Sequence, residues 1–285
     1  MSASGSLSRA EVETLLSGAD LLRIGQRADE ARRERHGNRS TYVTVFEIRV
    51  DADEPRVREI PAGAREVRLI GRPRSIDDAE AAVVAAKAIA GDRALTGFSL
   101  ADLVTLASDA RLTLIDVASR LSSAGLESAA EVPVDLLVDP MRAVGDAIAG
   151  GLSAWRVVVH GAAWEERLTL IDRVCELQRS TGAVKAFAPL PRIDDRTAPS
   201  TGFDDVRTIA AARLMCGDVP HIQVDWPLYG PKLAQVALTY GADDIDGVSA
   251  VDALGLGWRR APVEDVERNI RAAGHEPALR SGRFA

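Results

Sequence analysis

Short runs of β-branched and aliphatic residues alternate with longer segments of helical periodicity along most of this chain, and that alternation confines it to the α/β class. Strand-like runs cover 41–50, 66–71, 94–98, 155–160, 184–190 and 221–228, with weaker ones at 126–132 and 243–247. The run Val157-Val158-Val159 is apolar on both faces of its pleat, as a parallel strand covered on both sides must be. Helical patterns lie between the strands at 76–90, 103–110, 113–124, 164–180, 201–217 and 233–240. Thr201 with Asp204 resembles a capping box, and Gly241 is placed to stop the last of these helices. In the fourth, Trp164, Leu168, Ile171 and Cys175 recur at helical spacing and define one apolar face. Eight strands alternating with helices in 285 residues predict a (β/α)8 TIM-type barrel. An open doubly wound sheet is the alternative, but no glycine-rich turn follows the first strand.

The chain opens on a helical stretch at 8–36, where Ser8 can cap and Glu11 follows three residues later; Gly18 breaks or bends it. Residues 1–40 are therefore expected to form an N-terminal helical extension, and 41–285 the barrel with a C-terminal helix. The first β/α unit is abnormal. After Val50 the sequence runs Asp51-Ala52-Asp53-Glu54-Pro55-Arg56-Val57-Arg58-Glu59-Ile60-Pro61 and then enters the next strand. Two prolines leave no room for a crossover helix, so this unit is expected to be shortened.

Composition narrows the function classes. With 46% hydrophobic and 27% charged residues the chain is globular rather than disordered. A net charge of −7 argues against nucleic acid, and the arginines of 27–39 are interleaved with Asp29, Glu30 and Glu34 as on a solvated helix face. No run is apolar enough to span a bilayer, and residues 1–8 lack the order of a signal peptide, so a cytoplasmic protein is expected. Two cysteines, Cys175 and Cys216, make no disulfide framework; each reads as a structural or inert thiol, far from the other.

The segments Thr201-Gly202-Phe203-Asp204-Asp205-Val206-Arg207-Thr208-Ile209-Ala210, Ala212-Arg213-Leu214-Met215, Pro220-His221-Ile222-Gln223 and Gly230-Pro231-Lys232-Leu233-Ala234-Gln235-Val236-Ala237-Leu238 precede Gly241-Ala242-Asp243-Asp244-Ile245-Asp246-Gly247. Upstream stand Glu176-Leu177-Gln178, Phe187-Ala188-Pro189-Leu190 and the helix from Ala19-Asp20-Leu21-Leu22 to His36-Gly37. In order and spacing these resemble the radical-SAM family of menaquinone and F420 biosynthesis: aminofutalosine synthase above all, with dehypoxanthine futalosine cyclase and the deazaflavin synthase subunit. The resemblance implies a barrel whose first loop holds a four-iron cluster through a C-x-x-x-C-x-x-C motif. Here that loop contains no cysteine, and carboxylates cannot replace soft thiolates. The family's glycine-rich turn after the fourth strand reads Ala129-Ala130-Glu131-Val132-Pro133. The expected cofactor is accordingly none, with neither cluster nor S-adenosylmethionine.

Barrel sites lie at the C-terminal ends of strands. The candidates there are His160, Lys185, Arg192, Asp225, Trp226, Tyr229, Lys232, Asp243, Asp244 and Asp246. His160 matches a family histidine and serves either a functional or a structural hydrogen bond. Asp225, inside an apolar run, must be paired, liganded or solvated; Trp226 either stacks a ring or packs the core. Lys232 is placed to meet a substrate carboxylate. The Asp243, Asp244 and Asp246 group reads as a turn or a cation site, and the resemblance favours substrate hydroxyl or structural contacts over metal. The chain is thus expected to be a cluster-less paralogue that binds, scaffolds or regulates in futalosine-type menaquinone biosynthesis. The alternatives are a non-radical enzyme on a futalosine-like or carboxylated aryl substrate, or aminofutalosine synthase itself. Expected partners are a pathway intermediate, a radical-SAM paralogue or a second copy, and neither nucleic acid nor membrane.

Overall fold

A computed structural model of the chain describes residues 6–17, 21–51, 59–161, 164–191, 201–251 and 263–285. Its elements are, in order, α1 (Arg9–Ser17), α2 (Leu21–His36), β1 (Arg39–Arg49), β2 (Glu66–Ile70), α3 (Ile76–Ala90), β3 (Ala94–Ser99), α4 (Leu100–Ala110), α5 (Leu114–Ala124), β4 (Ser128–Pro133), α6 (Pro140–Ala149), β5 (Arg156–Val159), α7 (Trp164–Thr181), β6 (Ala186–Pro189), α8 (Gly202–Met215), β7 (His221–Asp225), α9 (Trp226–Leu238), β8 (Asp244–Ser249), α10 (Val263–Ala272) and β9 (Glu276–Leu279).

Local chemistry explains the boundaries. Thr113 and Asp116 exchange hydrogen bonds in a full capping box at the start of α5, and Thr201 with Asp204 does the same for α8. Ser75 caps α3, and Asp139 caps α6 ahead of Pro140, whose missing N–H costs nothing at a first helical position. Two expectations need correction. The strand expected over 221–228 ends at Asp225, because the Asp225 carboxylate accepts the Leu228 N–H at 3.1 Å and Pro227 suits the first turn of α9. The helix expected at 233–240 therefore begins earlier, with a kink at Gly230 (φ 71°) before Pro231. The stretch 8–36 carries two helices, with 18–20 outside the described residues.

The strands follow the order β2-β3-β4-β5-β6-β7-β8-β1-β9, and β2 also pairs with β1. The parallel sheet thereby closes on itself as an eight-stranded (β/α)8 barrel. The strand pairings are parallel: Val45 lies opposite Glu66 in β1–β2, and Gln223 opposite Asp244 in β7–β8. The ninth strand, β9, pairs with the first residues of β1, from Arg39 opposite Glu276 to Tyr42 opposite Leu279. Between the parallel β1 and β2 no helix occurs among the described residues, and the connection expected to be shortened falls largely on 52–58, outside the described residues.

Two compact units divide the chain, with boundaries inside β1, β5 and β8. One comprises Met1–Tyr42, Val158–Val248 and Ala253–Leu279; the other comprises Val43–Val157, Ser249–Asp252 and Arg280–Ala285. In the second unit the sheet carries a buried polar chain. Arg68 donates to Glu66 at 2.8 Å, and the Thr96 hydroxyl donates to the same carboxylate at 2.6 Å. Gly97 on β3 has no room for a side chain, since a Cβ would come within 2.9 Å of Leu69 Cβ. In the first unit, Ile24 and Ala28 of α2 are buried, as are Ile209, Ala210 and Ala211 of α8. Among the described residues, no helix is long and apolar enough to cross a membrane.

Candidate functional site

The sequence candidates of the first unit separate onto the two ends of β7 and β8. Asp243 immediately precedes β8 and His221 opens β7, so both lie at the N-terminal ends of their strands. The Asp243 carboxylate is 1% exposed and accepts from the Arg213 guanidinium, from the Ile222 N–H at 3.0 Å and from His221 Nδ1 at 2.6 Å. His36, at the end of α2, brings Nε2 to 3.3 Å from the same carboxylate and 3.0 Å from the Pro220 carbonyl. The two imidazoles stack at 5.2 Å. Burial alone would raise the Asp243 carboxyl, but Arg213 and then His221 override it and hold it well below the ordinary carboxylate range.

His36, His221 and Asp243 present ligand atoms close enough together to surround a cation. Their electrostatics oppose one. The buried Arg213 guanidinium, fixed by its own bond to the Gly241 carbonyl at 2.7 Å, already supplies the positive charge that Asp243 needs. The group is a charge-satisfied tie between α2, α8, β7 and the approach to β8. Asp244 is tied as well, accepting from Thr41 at 2.5 Å and Gln223 at 2.7 Å across β1, β7 and β8.

His275, 4% exposed, pairs its Nδ1 with the Ser40 hydroxyl at 2.8 Å. Burial, and then Arg32, push it down from 6.5 to about 4; burial likewise lowers His36. Unfolding lets both rings protonate near their ordinary value. The folded form is therefore favoured above that value and loses this advantage as pH falls toward about 4. Thermal melts from about pH 7 to about pH 5 should show a loss on the order of 1–2 kcal/mol, and His275→Gln should flatten the slope. An unchanged slope in that variant would assign the effect elsewhere.

The opposite ends of β5–β8 carry the other candidates. His160 follows β5 and is half-buried. Asp225 closes β7, stands opposite the buried Asp246 of β8 and caps α9. Gly247 (φ 72°) lets β8 pass this corner, where a Cβ would meet Pro227 Cδ at 2.9 Å. Trp226 is 0% exposed, and its indole N–H has no hydrogen-bond partner among the described residues. Tyr229 donates to the Pro189 carbonyl at 2.6 Å. Burial pushes its phenol up, with nearby Asp205 adding and Arg167 opposing. The buried Arg167 donates to the Leu190 carbonyl at 3.0 Å. Val158, Ala188, Leu190 and Leu228 supply an apolar floor.

Lys232 is exposed on α9. Lys185 is exposed and precedes β6, at the N-terminal end of that strand rather than the C-terminal end expected from sequence. Arg192 lies outside the described residues. Sequence reasoning did not single out Arg167, Asp205 or Arg213, all buried charges on helices. A charged residue on the core-facing side of a helical pattern is the signal that could have found them. The buried Trp226, Tyr229, Asp205 and Arg167 make, with the half-buried Asp225, a polar set at the C-terminal ends of the strands. It can orient a small ligand, and a hydrogen-bond acceptor on that ligand would satisfy the indole N–H.

The family described as the CofH/MqnC C-terminal region matches residues 186–285. Aminodeoxyfutalosine synthase of Streptomyces coelicolor is 35% identical over 41% of this chain and 36% of its own length. The 5-amino-6-(D-ribitylamino)uracil–L-tyrosine 4-hydroxyphenyl transferase of Methanothermobacter thermautotrophicus is 29% identical over 93% of this chain and 89% of its own. That alignment runs over 330 positions, more than the 285 residues here, so the transferase carries segments without a counterpart. Among solved structures, methylornithine synthase superposes with a TM-score of 0.65 at 14% identity, covering 96% of this chain and 95% of that one, which speaks for the fold. Residues 186–285 thus match the CofH/MqnC C-terminal region, and the chain is similar over part or most of its length to aminodeoxyfutalosine synthase and to the 4-hydroxyphenyl transferase.

Proposed function

We propose that this chain is a cluster-free relative of those enzymes that binds a small intermediate, and so acts as a binding, scaffolding or regulatory protein in or beside futalosine-type menaquinone biosynthesis. One observation carries the reading. The connection after β1, where the resemblance would put three thiolates, holds Asp51, Asp53 and Glu54 and no cysteine, while the two thiols of the chain lie on α7 and at the end of α8. A four-iron cluster needs thiolate donors, and hard carboxylate oxygens do not take their place. The donor set does not fit the cluster. Neither β4 itself nor the turn Val134-Asp135-Leu136 that follows it offers a glycine for close backbone approach to S-adenosylmethionine.

The ligand would occupy the C-terminal ends of β5–β8. Trp226 would donate its buried N–H, and Arg167 with Asp205 would hold the surrounding charge in place. A futalosine-like nucleoside or a carboxylated aryl compound has the acceptors and the ring for such a site. Anaerobic reconstitution with iron and sulfide is the test. The purified chain should retain far less than one cluster's iron per molecule, and a stoichiometric four-iron cluster would sink the proposal.

A second reading is favoured by His160, whose half-buried place after β5 suits acid–base work on the same ligand without radical chemistry. Turnover of such a compound by the metal-free protein, abolished in His160→Ala, would select it over pure binding. A radical-SAM paralogue or a second copy of the chain is the macromolecular partner this scaffold would serve.

A further inference from the structure

The two cysteines, 41 positions apart in sequence, meet in the fold. The Cys216 thiol, at the end of α8, donates to the Ile171 carbonyl of α7 at 3.8 Å. In an α-helix that carbonyl accepts the backbone N–H of the residue four positions on, which is Cys175. The Cys216 sulfur therefore sits against the turn of α7 that ends at Cys175. Burial, and then the neighbouring Cys175 thiol, raise the pKa of the Cys216 thiol. Both cysteines line one cavity of about 300 Å³, alongside Asp172, Arg179, Met215 and the Ser6–Arg9 segment. Cys175 is half-buried, whereas Cys216 is 1% exposed.

We propose that Cys175 and Cys216 form a redox-responsive dithiol that closes reversibly to an intramolecular disulfide between α7 and the end of α8 when a small disulfide oxidant reaches the cavity. Cys175 reacts first, being the more accessible. Its thiolate attacks one sulfur of the oxidant, the oxidant's S–S bond breaks, and the departing thiolate takes a proton. Cys216 then gives its proton to water and attacks the Cys175 sulfur, expelling the second small thiol. Two protein thiols are oxidised by two electrons and one small disulfide is reduced to two thiols. Burial pushes the Cys216 thiol up, which suits a resolving rather than an attacking role. The bridge would lock α7 to α8, the two helices joined near the candidate site by Arg167 and Thr208 at 3.5 Å. The ligand site would then respond to redox state.

The test uses the folded full chain treated with oxidised glutathione. Expected are an intact mass lower by two hydrogens, loss of both titratable thiols after denaturation, a cross-linked peptide pair carrying Cys175 and Cys216, and full reversal by dithiothreitol. Cys216→Ser should stop at one glutathione adduct, and Cys175→Ser should stay unmodified. A wild-type chain that keeps a stable glutathione adduct, retains two free thiols, or links to a second chain through Cys175 overturns the proposal. The wild-type readouts stand even where a serine variant fails to fold.

Discussion

Arg213→Ala is expected to destabilise the protein by about 3–5 kcal/mol, the range for stripping one partner from a buried ion pair. The penalty comes from what is left behind. Asp243 stays buried with its charge, and the Gly241 carbonyl loses its donor. Protonating the carboxylate is the cheapest escape, but that surrenders the bonds from Ile222 and His221. Replacing both charges, as Arg213→Met with Asp243→Leu, should cost less than the two single changes added together, because no orphaned charge remains. Urea denaturation of the three variants measures this. An Arg213→Ala protein within about 1 kcal/mol of wild type would mean that the tie between α2, α8 and β7 is incidental. The same variant should weaken the acid sensitivity set by His36. Arg213 is one of the charges holding that imidazole down, so removing it lets His36 stay protonated in the fold to higher pH.

Much of the fold is written in local chemistry. The helix expected at 76–90 coincides with α3, and Thr201 caps α8 where its sequence context placed it. The closed barrel follows from eight alternating units and the lack of a glycine-rich turn after the first strand. What fails is of two kinds. At Asp225-Trp226-Pro227 an apolar run reads as continuing strand, while one carboxylate capping Leu228 turns the chain into a helix. Cap chemistry outweighs side-chain propensity there. In α6, the pair Asp139-Pro140 was a helix start passed over.

The site is less legible because it is assembled from residues distant in sequence. Asp243, Asp244 and Asp246 look like one acidic group. Their places along the chain separate them: Asp243 is bound by Arg213 before β8 begins, Asp244 is held by Thr41 and Gln223 at its start, and Asp246, further along, stands opposite Asp225. Proximity in sequence overstated their kinship in space. The reverse holds for Cys175 and Cys216, which looked unrelated and are brought together by the packing of α7 on α8. Neither result could follow from spacing, since both depend on pairing between elements.

Trp226 separates packing from recognition. Trp226→Ala should cost about 3–5 kcal/mol, because it empties a fully buried indole's volume at the root of α9. Trp226→Phe keeps most of that volume and removes an N–H that has no partner among the described residues. An unsatisfied buried donor is itself a burden of about 1–3 kcal/mol, so the phenylalanine variant should lie within about 1 kcal/mol of wild type. Binding should respond in the opposite proportion. A ligand whose acceptor meets the indole N–H would lose about tenfold or more in affinity on Trp226→Phe, with stability nearly unchanged. Isothermal titration with futalosine-like and carboxylated aryl compounds, run beside urea melts of the same variants, distinguishes the two roles. Unchanged affinity for a compound that does bind, together with a destabilised phenylalanine variant, would return Trp226 to plain core packing and move the ligand contact toward the His160 side of the strand ends.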